Sequence, residues 1–128
     1  MTVNELVKLV HANAVDKGFW DEHKVHRDGP ISDYPSTYTI RLNPAEKLSK
    51  HMLMVSEIAE ASESVRKGEK PFYLDINTDK WEGEAVEIAD CVIRAFDYAG
   101  AMGWDLEKII LAKHEYNTTR PYKHGKKL

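Results

Sequence analysis

Asn43-Pro44-Ala45-Glu46-Lys47-Leu48-Ser49-Lys50-His51-Met52-Leu53-Met54-Val55-Ser56-Glu57-Ile58-Ala59-Glu60-Ala61-Ser62-Glu63-Ser64-Val65-Arg66-Lys67 opens on a cap, a proline at the first helical position and a glutamate at the third, and meets no breaker before Gly68. The stretch predicts a long helix over residues 44–67. On a wheel of about 100° per residue its apolar side chains lie nearly all round. Leu48, Met52, Val55 and Ala59 fall on one side, Met54, Ile58 and Val65 beside them, and Leu53 between Glu57 and Glu60. Such a helix is ordinarily buried, and acids on a buried helix are costly unless something compensates them.

Three further helices follow from the same signals. Thr2 with Glu5 reads as a capping box, and Val3, Leu6, Val10 and Ala14 recur at helical spacing up to Gly18, which sets a helix over about 3–17. Another begins near Gly83 and runs to about residue 101, stopped by Gly103. A last one is capped by Asp105, carries Leu106, Ile109, Ile110 and Lys113, and ends before Pro121. Residues 19–42 and 69–82 read as two long connections. Thr37 to Leu42 alternates weakly, but a lone strand has no partner. The expected architecture is all-α with four helices in a single domain spanning residues 1–128.

Composition narrows the function classes. Of 128 residues, 18 are Lys or Arg and 21 are Asp or Glu, so the net charge of -3 offers no global attraction to a nucleic-acid duplex. Cys91 is alone, which excludes an internal disulfide and a cysteine-based zinc site. No stretch approaches the ~20 apolar residues of a membrane helix, and the first residues carry no apolar signal core. The expected setting is the cytoplasm, without a membrane partner.

Glu57-Ile58-Ala59-Glu60 and Glu87-Ile88-Ala89-Asp90 are two copies of one pattern, a carboxylate pair at i, i+3. Each pair occupies one face of its helix, with Cβ atoms about 5–6 Å apart. Acids crowded on two facing helices repel unless a cation sits between them. Hard oxygen donors, with no Cys or His at matching spacing, favour Mg²⁺ or Mn²⁺ over zinc. A di-iron bundle needs Glu-x-x-His on two helices, and no Glu here has a His three residues later. The competing interpretation is a non-catalytic helical adaptor, in which the acids are surface groups and Arg94 bridges Asp90 at i, i+4.

Taken together, Glu57-x-x-Glu60 and Glu87-x-x-Asp90 resemble the E-x-x-E and E-x-x-D signature of the MazG-like all-α nucleoside triphosphate pyrophosphohydrolases. Gly18-Phe19-Trp20-Asp21 after the first helix, Ser56-Glu57-Ile58-Ala59-Glu60-Ala61, the run from Glu82 to Arg94 and the basic tail from Lys113 to Gly125 extend the resemblance over most of the chain. Two departures stand out: Ser56 occupies the place where many members carry a second acid, and the connection at residues 21–46 is longer than usual.

The resemblance implies a bundle formed by helices of two chains, in a homodimer or homotetramer, and Mg²⁺-dependent cleavage of (deoxy)nucleoside triphosphates between the α- and β-phosphates. It implies Glu57, Glu60, Glu87 and Asp90 as metal ligands, with Glu57 and Glu60 catalytic. Lys113, Asn117 and Arg120, at i, i+4 and i+7, form a stripe suited to phosphate oxygens. Trp20 and Trp81, with Phe19, are candidate stacking surfaces for a base, and His51, about two turns before Glu57, is placed to reach the substrate.

Overall fold

The computed structural model describes residues 1–23, 25–27 and 38–125. Four α-helices account for most of it: α1 (Val3–Asp16), α2 (Pro44–Arg66), α3 (Glu84–Met102) and α4 (Leu106–Thr118). Their bounds follow the cap signals. Thr2 accepts from the Glu5 amide, and the Glu5 carboxylate accepts from the Thr2 amide. Asn43 and Glu46 repeat that exchange at the start of α2, at 2.9 and 3.0 Å. Gly103 takes up the left-handed conformation that ends α3.

Both connections contain a small antiparallel hairpin that helical reasoning does not provide. In the first, β1 (Val25–Arg27) pairs with β2 (Tyr38–Ile40) in the register Val25 to Ile40. The weak alternation at residues 37–42 therefore does have a partner, three residues too short to show a period of its own. In the second, β3 (Tyr73–Asp75) pairs with β4 (Lys80–Glu82). Asn77 and Asp79, turn residues by type, form its tip: the Asp75 carboxylate accepts from the Asn77 amide, and Asp79 lies at a φ of 58°. This hairpin brings the start of α3 back beside the exit of α2. Gly83 sits at the crossing with a φ of 114°, and a Cβ there would lie 2.3 Å from the Lys70 carbonyl oxygen, which only glycine accommodates.

At the centre lies α3, packed along α2 on one side and α1 on the other. Trp20, Ile40 and Ala101 form the buried cluster, with Ala14, Val15, Leu42 and Met102 against it. Gly100 lets α1 approach α3, since a Cβ there would stand 2.6 Å from the His11 Cβ. Helix α4 packs chiefly on α1. The starts of these two helices cap each other: Asn4 donates to Asp105 and accepts from the Glu107 amide, while the Glu107 carboxylate accepts from the Val3 amide.

The all-round apolar surface of α2 is not buried within one chain. Its buried residues are Glu57, Ala61 and Ser64, whereas Leu48, Met52, Val55, Ile58 and Val65 are exposed. Ile88, Val92 and Ile93 on α3 and Ile109, Ile110 and Leu111 on α4 are exposed as well. Among the described residues no helix is long and apolar enough to cross a membrane.

Candidate metal centre and cleft

Helices α2 and α3 run antiparallel through their contact, so residues that ascend in number on one descend on the other. Glu57 stands level with Asp90 and Arg94, and Glu60 is level with Glu87. One carboxylate oxygen from each of Glu57, Glu87 and Asp90 falls within 4.8 Å of the others. Oxygens held by one Mg²⁺ at ~2.1 Å lie at most ~4.2 Å apart across the ion, so small side-chain rotations close this triad. The donor set also fits, being all hard oxygen with no sulfur or imidazole.

Electrostatics at the triad show what the chain alone leaves uncompensated. Burial, then hydrogen bonds shared with Glu57 and Glu60, push the Glu87 carboxyl from 4.5 up to about 7. Asp90 is raised too, by burial first and then by the Glu57 charge, with Arg94 partly opposing. Negative charge is thus crowded where the proton, or another cation, is welcome. Glu60 itself is exposed and touches the cluster through Glu87 rather than belonging to the triad.

Arg94 steadies Asp90 by its charge, but its direct bond is not the i, i+4 bridge that the adaptor interpretation expected. Its Nε donates across the helix interface to Glu57 Oε1 at 2.7 Å. The reason is burial: Glu57 is 7% exposed and is the acid most in need of a counter-charge.

From the triad a cleft of about 610 Å³ runs between α1, α2 and α3. Glu57, Asp90 and Arg94 form one end. Two helical turns away, about 10.5 Å along the axes, Lys50, Asp97, Tyr98 and Trp20 form the other. Trp20 donates through Nε1 to both oxygens of Asp97 at 2.9 and 3.1 Å, and His11, buried against Gly100, donates through Nδ1 to Asp97 Oδ1 at 2.7 Å. Lys50 Nζ lies 4.3 Å from the centre of the Trp20 ring, within cation–π range.

The remaining expected residues divide. Trp20 is buried in the core yet lines the cleft, and Phe19 stands exposed at its mouth. His51 makes an edge contact with Tyr98, ring centres 5.2 Å apart, one wall away from the cleft interior. Trp81 lies outside the cleft, stacked on Phe72 at the β3–β4 hairpin with ring centres 4.8 Å apart. Lys113, Asn117 and Arg120 lie on α4 and its end, and none of them lines this cleft; Lys113 and Arg120 flank the Tyr116 ring instead. Sequence reasoning sets Asp97 on the polar arc of its helix with Glu87, Asp90 and Arg94 but gives no site role to it, to Lys50 or to His11. The first two were findable, since Lys50 precedes Glu57 by seven residues and Asp97 follows Asp90 by seven, which keeps each on the face of its neighbour acid.

No family model, curated protein or solved structure matches this chain.

Proposed function

We propose that the chain is a Mg²⁺-dependent, MazG-like nucleoside triphosphate pyrophosphohydrolase, with Mn²⁺ as an alternative ion. The observation that carries this reading is the convergence to within 4.8 Å of Glu57, Glu87 and Asp90, of which Glu57 and Asp90 line one end of a cleft whose other end is aromatic. Such a cleft suits a ligand with a polyphosphate at one end and a flat heterocycle at the other.

In this reading Glu57, Glu87 and Asp90 hold the ion. When bound, Mg²⁺ supplies charge neutralisation for the phosphates and lowers the pKa of water. Water adds to the α-phosphorus, the bond from that phosphorus to the α,β-bridging oxygen breaks, and nucleoside monophosphate and pyrophosphate leave. Glu60, exposed beside the triad, is the carboxylate free to accept the proton of the attacking water, and Glu57 orients the reacting groups. Trp20, Phe19 and Tyr98 form the wall for the base. Lys113, Asn117 and Arg120 belong to the cleft of a second copy, brought alongside by the exposed apolar faces of α2 and α4; Trp81 on its projecting hairpin has the same reach. The active species is then a homodimer or homotetramer working in the cytoplasm.

A pyrophosphate-release assay across ordinary and modified nucleotides, with Mg²⁺ and with EDTA, tests the reading. The expected result is Mg²⁺-dependent release of pyrophosphate and a monophosphate. A diphosphate with inorganic phosphate would remove the chain from this reaction class, and silence in every well would favour the adaptor.

A further inference from the structure

We infer that Arg94 is a two-ended clamp, its Nε fixing Glu57 and its terminal guanidinium nitrogens gripping a phosphate of the substrate. The inference rests on the metal-centre reading above and names a phosphate-binding residue within the same chain. Three observations carry it. The bond to Glu57 uses Nε, and neither terminal nitrogen has a partner among the described residues. The Arg94 side chain is 37% exposed and lines the cleft, so those nitrogens are open to a ligand, whereas Glu57 is held beneath. A guanidinium fork matches two oxygens of a phosphate in a way that a lysine point charge does not.

Charge arithmetic supports the same role. Three ionised ligand carboxylates and one divalent cation leave one negative charge, to which an ionised Glu60 adds a second, and both would repel an incoming polyphosphate. Arg94 offsets one of the two at the metal end of the cleft. Among the described residues no other cation lines the metal end of this cleft: Lys50 is two turns away over the Trp20 ring, Lys67 stands in the neighbouring pocket with Glu60 and Glu87, and the α4 stripe lies outside the cleft.

The test uses the full chain and two probes, Mn²⁺ alone and inorganic pyrophosphate in the presence of saturating Mn²⁺. Mn²⁺ binding by electron paramagnetic resonance should stay within about threefold of wild type in Arg94→Gln, whereas pyrophosphate affinity by calorimetry should fall at least tenfold. Arg94→Lys should recover part of the pyrophosphate binding, because charge returns without the fork. Should Arg94→Gln fail to fold, the ¹⁵N resonances of Arg94 in the wild-type chain decide. Pyrophosphate should shift the terminal nitrogens while the Nε signal stays hydrogen-bonded, and terminal nitrogens that do not respond would overturn the clamp. Pyrophosphate affinity unchanged in Arg94→Gln, or Mn²⁺ binding by wild type without any pyrophosphate binding, would also overturn it and leave the metal centre standing. Absence of Mn²⁺ binding by the wild-type chain would remove the metal centre and the clamp together.

Discussion

The two sides of α2 differ in the opposite sense from an ordinary surface helix. The side turned to α3 buries Glu57 and Ser64, while the side turned outward exposes Leu48, Met52, Val55 and Val65. Burying acids and exposing aliphatics is unfavourable twice over for a lone chain. The contrast makes sense if each side awaits something: the inner side a cation, and the outer side another apolar surface. The α3 residues repeat it, with Asp90, Arg94 and Asp97 facing the cleft and Ile88 and Val92 exposed. A helix that reads as buried on every side can thus be half built for a ligand and half for a neighbour.

The sharpest way to break this comparison is at the inner side. Asp90→Asn should lower pyrophosphohydrolase turnover by about 10³-fold, as should Glu60→Gln, with the fold intact or stabilised because crowding of the acids is relieved. Steady-state kinetics beside a thermal melt separates the two effects, and retained turnover in either variant would sink the assignment.

On the outer side, Met52→Asp with Val55→Asp tests whether 59% and 53% exposure in one chain is the final state. For a monomer these are surface changes, each within about 0.5 kcal/mol of neutral. If a second copy covers them, unpaired charge is buried and the assembly loses about 3–5 kcal/mol, shifting to monomer on light scattering with stability that depends on protein concentration. A wild-type chain that scatters as a 14.7 kDa monomer at micromolar concentration, with full activity, would remove the second copy from the reading.

Gly100→Ala probes the approach of α1 to α3 on the inner side. Its Cβ would press on His11, which is tied to Asp97, so no flexible end can yield. Urea denaturation should show a loss of about 1–3 kcal/mol, the cost of overpacking.

The smallest expected effect is on pH dependence. Glu87 releases its proton at about 7 when folded and at 4.5 otherwise. Across that window the folded chain holds a proton the unfolded chain has given up, so metal-free stability falls as pH rises from 4.5 to 7 and levels off above it. Glu87 is only partly buried and solvent screens the effect, so a fall of about 3 °C in Tm is the expected scale. Mg²⁺ should abolish the slope by replacing the proton, and a melt that climbs over the same window without metal would contradict the crowding of the acids.

Helix boundaries were legible because caps are local: Thr2, Asn43 and Asp105 each act within three residues. The i, i+3 acids were legible for the same reason, and three of the four converge. The hairpins were not, because a three-residue strand shows no period and its partner sits elsewhere in the connection. Nor was the Arg94 bond to Glu57, since spacing along a helix favours the i, i+4 neighbour and says nothing about the helix opposite. The α4 stripe shows the limit most clearly: its spacing placed Lys113, Asn117 and Arg120 on one side of a helix, and none of the three lines the cleft at the acids.

The shared capping of α1 and α4 has a dynamic consequence. Each helix start is held by groups of the other, about a hundred residues away in sequence. Neither first turn can fray without releasing the amides of both. The two segments should therefore exchange their amide hydrogens as one cooperative unit, despite lying at opposite ends of the chain.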